Sequence, residues 1–198
     1  MRYTGPKDRL SRREGYDLFG KGAKLTRLAV LPGAHGRRGF GKQSGFGRQL
    51  REKQKVKRMY GVTERQFEKY VNAAQKAKGT TGDTLVQLLE RRLDNVIYRL
   101  GFASTRPAAR QVVSHGHVLI NGKKVNVPSY MVCVGEIIDL DAKAQNKPEV
   151  KKKLEDKDFM PSSWLERQAI TGKIKSLPKR EDVTEPISEQ DIIEYYSR

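Results

Sequence analysis

Apolar residues along the chain fall into helix-spaced stripes, interrupted by one short strand-like stretch. Leu50, Val56, Met59 and Tyr60 predict a helix whose other side carries Arg51, Lys53, Lys55, Lys57 and Arg58. Gly61 ends it, and Thr63 with Gln66 forms a capping-box pattern for the next helix. There Phe67, Tyr70, Val71 and Ala74 recur at three- and four-residue spacing. Beyond the break Gly79–Asp83, Thr84 is placed as a cap with Gln87 three residues on. Leu85, Leu88, Leu89, Leu93, Val96, Ile97 and Leu100 then predict one helix stopped by Gly101. This stripe reads as core.

The next helix is expected to be capped by Ser104 or Thr105, with Pro107 in its first turn, where no backbone donor is needed. Arg106, Arg110 and Ser114 share one face of it, while Ala109, Val112 and Val113 take the other. Gly116 closes it. Val118-Leu119-Ile120 and Lys123-Lys124-Val125 then flank Asn121-Gly122, which predicts a type I′ hairpin with two lysines just past its tip. A later strand is expected near Glu136–Leu140. Met160-Pro161 and Trp164 begin a docking stretch, and Ile187, Ile192, Ile193, Tyr195 and Tyr196 predict a short closing helix. The expected fold is helix-rich α+β in two domains: a helical N-terminal domain, and two helices packed on a small antiparallel sheet. The expected divisions are a basic arm with a Gly-rich loop over 1–48, a helical domain over 49–90 with 160–198 packing back on it, and the helix-and-sheet domain over 91–155.

Charge changes the picture. The 198 residues hold 40 Lys+Arg against 23 Asp+Glu, a formal net charge of +17 with pI near 10.0. A polyanionic partner follows, and with no lipidation motif or long apolar run, nucleic acid is preferred to membrane. Nearly half of the net charge lies in Gly33–Tyr60, where Arg37, Arg38, Lys42, Arg48, Arg51, Lys53, Lys55, Lys57 and Arg58 meet only Glu52. Its first part, GAHGRRGFGKQSGFGRQ, is too rich in glycine for a helix and interleaves Phe40 and Phe46 with cations. A phosphate-contacting loop is favoured there over a solvated linker. The C-terminal 44 residues are net acidic, which argues against a main RNA contact.

Other chemistry is sparse. His115 and His117 lack a neighbouring carboxylate or cysteine constellation, so surface exposure or a phosphate contact is preferred to a metal site. Cys133, the single cysteine, reads as a small buried hydrophobe and permits no intramolecular disulfide. The start, MRYTGPKDRLSRREG, lacks the apolar core of a signal peptide, so a reducing cytoplasmic compartment is expected.

RLDNVIYRLGFASTRPAARQVVSHGHVLINGKKVNVPSY resembles the S-four RNA-binding domain, in the form carried by the family of the fourth small-subunit ribosomal protein. GPKDRLSRREG, PGAHGRRG, LREKQKVKRMYGVTERQFEKY and ISEQDIIEYYSR extend the resemblance over nearly the whole chain, to the bacterial type. It implies that 91–155 is an S-four domain. It also implies a structural, non-enzymatic protein of the bacterial 30S subunit that binds a multi-helix junction in the 5′ domain of 16S rRNA and nucleates assembly of the subunit body. Contact with the fifth small-subunit protein and with messenger RNA near the entry channel is implied too, with a contribution to translational accuracy and no homo-oligomer. Some family members hold zinc on four N-terminal cysteines; this chain lacks them, so no metal or other cofactor is expected.

Since RNA duplexes are gripped through shape, phosphates and 2′-hydroxyls, arginine and lysine are the natural contacts. The expected set is Arg106, Arg110, His115, Lys123 and Lys124, with Arg37, Arg38, Arg48, Lys53, Lys57 and Arg58 from the basic region and Arg12 and Arg13 from the arm. An S-four-domain RNA-modifying enzyme and a free-standing RNA chaperone are the alternatives. Arg92-Leu93-Asp94 resembles the motif around the catalytic aspartate of pseudouridine synthases, but an ion pair is the plainer reading of Asp94.

Overall fold

The structure, a computed structural model, describes residues 3–36, 41–146, 150 and 159–197. The chain divides into two units: Met1–Leu85 with Glu185–Arg198, and Val86–Thr184. The class is α+β and helix-rich, as expected.

In the first unit, α1 (Lys7–Glu14), α2 (Gly45–Met59), α3 (Glu64–Lys76) and the start of α4 (Thr81–Glu90) are joined by a helix from the far end of the chain. Ser44 caps α2 by accepting the Gly47 N–H at 3.1 Å. The expected capping box at α3 does not form: Thr63 is at the cap position without a side-chain hydrogen bond. Thr84 likewise lies inside α4 instead of capping it, and its hydroxyl donates to the Thr80 carbonyl at 3.0 Å. Val56, Met59, Tyr60, Phe67, Val71 and Ala74 are buried, as their spacing implies.

The carboxylate of Glu64 is the hub of this unit. It accepts hydrogen bonds from Lys53 Nζ and Lys57 Nζ, both at 2.6 Å, and from the Tyr196 hydroxyl at 2.7 Å. Burial alone would raise its pKa, yet these three donors outweigh that and lower it to about 2. Burial, then the bond to Glu64, pushes the Tyr196 phenol upward. Together they tie α2 and α3 to the closing helix, which the sequence predicts and the structure places at Glu189–Tyr196.

The second unit begins with a surprise for the pattern reader. The leucine stripe 85–100 forms two helices, α4 and α5 (Leu93–Arg99), because the backbone at Arg92 is extended (φ −66°, ψ 135°). At this break the Arg91 carbonyl accepts the Val132 N–H at 3.0 Å, and the Leu93 N–H donates to the Tyr130 carbonyl at 2.8 Å. Arg92, fully buried, forks onto Asp94 through Nε–Oδ1 (3.0 Å) and Nη2–Oδ2 (2.6 Å).

α6 (Arg106–Ser114) is capped by Thr105, which accepts the Ala108 N–H at 3.3 Å, and Pro107 lies in its first turn. β1 (Val118–Ile120) and β2 (Lys123–Val125) form the I′ hairpin, with φ of 49° at Asn121 and 77° at Gly122. β3 (Ile137–Leu140) pairs with β1, and the short α7 (Ala142–Gln145) follows. The antiparallel sheet has order β2-β1-β3-β5-β4.

Its last two strands, β4 (Leu165–Gln168) and β5 (Thr171–Ile174), overturn one expectation. Residues 160–184 belong to this unit and widen its sheet; only Glu185–Arg198 lies with the first, where the closing helix becomes α8. Trp164, Leu165 and Ile174 are buried with Val96, Ile97, Leu100, Val113, Val118 and Ile138 in one core. Cys133 is exposed, not buried, because it follows the buried Val132 into the turn that leads to β3.

Two outcomes are expected. Gly172→Ala would place a Cβ 2.4 Å from Cδ1 of the fully buried Leu100. This overpacking should cost about 1–3 kcal/mol, read as a lower urea midpoint; an unchanged midpoint would mean that β5 can withdraw from α5. Glu64 has a folded pKa below its ordinary 4.5, so its ion pairs stabilise the fold above that pH and the contribution is lost as pH falls toward about 2. The stability gap between wild type and Glu64→Gln should be full at pH 6 and vanish across that window; a gap independent of pH would exclude the network.

Candidate nucleic-acid interface

Phosphate recognition needs cations whose charge is not already satisfied, so each expected contact must be judged by its neighbours. In the first unit several are committed inward. Lys53 is only 4% exposed, held by Glu64 with its ammonium 4.3 Å from the Tyr195 ring centroid. Lys57 shares that carboxylate. Arg58 and Arg51 both donate to Glu14, whose pKa burial raises against the pull of these guanidiniums. Arg12 donates Nε to the Val30 carbonyl (2.8 Å) and Nη2 to the Leu31 carbonyl (3.0 Å), fastening the loop after α1. Lys53, Lys57, Arg58 and Arg12 are thus braced internally as well as cationic. Helix periodicity shows which side a cation takes, not which acceptor it meets there.

Arg48 is different. Its Nε bonds Asp191 of α8 at 3.1 Å, but its side chain is 67% exposed and keeps its remaining donors toward solvent. Arg13 is exposed and without a hydrogen bond among the described residues, though its charge acts on the neighbouring Glu14 carboxylate. Arg37, Arg38 and Phe40 lie outside the described residues. Phe46 stacks on Tyr195 at 5.7 Å between centroids.

The cations that sequence reading passed over are on α1 and α3. Arg9 is exposed one turn before Arg13, and Arg65, Lys69 and Lys76 are exposed along α3, all without partners among the described residues. The signal was present: Arg65 and Lys69 stand four apart, off the Phe67–Val71–Ala74 stripe.

In the second unit the break at Arg92 builds the platform. Asp94, already forked by Arg92, also accepts Nη1 of Arg110 at 3.4 Å. Asn95 donates to Oε2 of Glu90 at 2.9 Å, while its Oδ1 accepts Nε of Arg106 at 2.9 Å. Glu90 is in turn forked by Arg99 through two bonds of 2.9 Å. The Arg106 guanidinium lies 4.6 Å from the Tyr98 ring centroid. Arg106 and Arg110 are thus held at fixed orientation, half-buried, at the start and along the outer face of α6. A helix start favours anions, and oriented guanidiniums beside it can bridge phosphate oxygens or stack on bases.

Lys123 and Lys124 are exposed on β2 without polar partners among the described residues, and the Lys124 stem passes over Gly116, where a Cβ would lie 2.6 Å from its Cε. His115 is exposed at the end of α6, 6.1 Å from the ring of His117, whose Nδ1 is 3.9 Å from Asp141. α6 and the hairpin accordingly bring Arg106, Arg110, His115, Lys123 and Lys124 together on one unit. Among the described residues no helix is long and apolar enough to cross a membrane.

Known proteins share this arrangement of sequence. A family model described as ribosomal protein S4/S9 N-terminal domain matches residues 2–90, and the S4 domain model matches 91–138. The chain is 50% identical over 206 residues to the small ribosomal subunit protein uS4 of Thermoanaerobacter sp. (strain X514), covering 100% of this chain and 99% of the relative. The protein of that name from Desulfitobacterium hafniense (strain Y51) is 48% identical over 206 residues, with the same coverage. That of Hahella chejuensis (strain KCTC 2396) is 50% identical over 205, again covering 100% and 99%. Since the likeness runs through both units in one order and bears out the resemblance read from the residues, the chain belongs to the small ribosomal subunit protein uS4 family.

Proposed function

We propose that this protein is a structural constituent of the small ribosomal subunit that binds its ribosomal RNA. The observation that carries the reading is the full-length likeness to proteins named for that subunit. The family is one of ribosomal proteins, not of enzymes, and Asp94 is engaged by two arginines, Arg92 and Arg110, in a structural ion-pair cluster. In its finer form the proposal is a protein of the bacterial 30S subunit, in the cytoplasm, that binds the multi-helix junction in the 5′ domain of 16S rRNA and nucleates assembly of the body. It contributes to translational accuracy through the fifth small-subunit protein and messenger RNA at the entry channel.

The RNA contacts are divided between the units. Arg106, Arg110, His115, Lys123 and Lys124 supply them from the S-four unit, whose proposed extent is 91–155 with the later strands added. Arg9, Arg13, Arg48, Arg65, Lys69 and Lys76 supply them from the helical unit. Arg9, Arg65, Lys69, Lys76, Lys123 and Lys124 have no carboxylate partner among the described residues, so no folded-state pair has to break when they meet a phosphate. Arg48 and Arg110, by contrast, each keep one carboxylate bond. With 6–10 phosphates neutralised, affinity should fall roughly three to five orders of magnitude between about 50 and 200 mM salt.

Lys123→Glu with Lys124→Glu leaves every internal ion pair described above intact, unlike Arg110→Glu, which would set a second carboxylate beside Asp94. The double variant should weaken filter binding to the 5′ domain of small-subunit rRNA and flatten its salt slope by about two, with the circular dichroism spectrum unchanged. Arg65→Glu with Lys69→Glu should do the same from the other unit. Wild-type affinity and slope in both variants would remove these surfaces from the interface.

A further inference from the structure

Beside the start of α6, the second unit contains a cleft of about 420 Å³ whose walls include Tyr98, Ser104, Phe159, Met160, Ser162 and Asp182. That volume lies within the range of small-ligand sites, roughly 300–1,000 Å³. Its chemistry does not suit a phosphate: its acid is Asp182, and the arginine beside it, Arg99, is forked onto Glu90. It does suit a flat ring with hydrogen-bond donors on its edge.

Two features preform the cleft for such a ring. Phe159 is braced by the Arg167 guanidinium, 5.5 Å from its centroid, and closes against Gly101, where a Cβ would fall 2.6 Å from Cε1 of the ring. Gly101 also has φ of 73°, so both the turn and the close ring approach need glycine. Beside it Met160 is 88% exposed, a polarizable thioether with nothing yet to cover. Asp182 is oriented by accepting the Lys179 N–H at 2.7 Å and the Ser163 hydroxyl. Each carboxylate oxygen retains a further lone pair.

We propose that the cleft receives one unpaired guanine of the bound RNA, stacked against Phe159 and Met160, with its N1–H and N2–H donating side by side to the Asp182 carboxylate. Guanine alone among the four RNA bases offers two adjacent donors on that edge. Arg106 does not line the cleft, but its guanidinium packs on the ring of the lining residue Tyr98, from where it would meet the nucleotide's phosphate. RNA-binding proteins commonly read splayed bases by aromatic stacking and edge hydrogen bonds. The inference rests on the RNA-binding reading above and adds a sequence-reading site to a surface otherwise built for backbone.

The full-length protein, labelled with ¹³C at its methionine methyls and with Met160 assigned through Met160→Leu, is titrated with GMP, AMP, CMP, UMP and inorganic phosphate. GMP should shift the Met160 methyl resonance saturably, with an affinity about tenfold above the other nucleotides, and inorganic phosphate should leave it in place. Asp182→Asn should bring GMP down to the level of AMP while the remaining methionine signals keep their folded positions, and Phe159→Leu should weaken all four. A Met160 signal that ignores every nucleotide, follows phosphate equally, or prefers GMP undiminished in Asp182→Asn overturns the proposal. Filter binding of the same samples to small-subunit rRNA separates the two readings: tight RNA binding without a GMP response rejects the cleft alone, and loss of both rejects the RNA-binding function.

Discussion

A guanidinium withdrawn wholly from water sets the terms for the second unit. Left alone, the charge on Arg92 would cost several kcal/mol, and breaking a buried pair by removing one partner typically costs 3–5 kcal/mol. Asp94 answers it with two parallel bonds, but this is possible only because the chain leaves the helix between α4 and α5. The same departure frees the Arg91 carbonyl and the Leu93 N–H for the segment at Tyr130–Val132. Helix break, strand-like bridge and buried pair are one arrangement. Asp94 and Asn95 then extend it outward, since their remaining acceptors orient Arg110 and Arg106.

The charge of the first unit has a different economy. Much of the cationic density on α2 is met by Glu14, Glu64 and Asp191, so part of the positive charge counted along the chain serves as internal cross-bracing. The acidic character of the C-terminal segment has its explanation here, because Asp191 and Glu194 of α8 bond Arg48 and Gln49 of α2. Within each unit, the cations left over repel one another in the free protein: those on α1 and α3 in the first, and Lys123 and Lys124 in the second. A polyanion relieves that repulsion, which is why such a surface favours binding without needing a deep pocket.

The body of α2, α3, α6, the hairpin at Asn121-Gly122 and the closing helix were legible because each is written in local chemistry: stripe, cap or turn residue. The first turn of α2 was not legible, because Gly45 and Gly47 read as loop although Ser44 caps a helix there. The break at Arg92 was not, since seven apolar positions at helical spacing outweighed one arginine whose partner lies two residues on. β4 and β5 escaped for a related reason. Their turn places Ala169 at φ 51°, with no glycine or asparagine to announce it, and each strand buries only part of one face. Among the site residues, Lys123 and Lys124 could be placed from turn geometry alone. The inward role of Lys53 required knowing that Glu64 and Tyr196 converge on it, and those residues are far apart along the chain. Family membership was legible throughout, because its motifs keep their order regardless of which cation points where.

The second unit is inserted in sequence between the two parts of the first. On a synthesising ribosome, residues 86–184 emerge with all of their own core, whereas the basic α2 waits for α8 to supply Asp191, Glu194 and Tyr196. The helical unit therefore reaches its final state last although most of it is made first: Glu14 and Glu64 are already in place for their cations, but Arg48, Gln49 and Glu64 still lack Asp191, Glu194 and Tyr196.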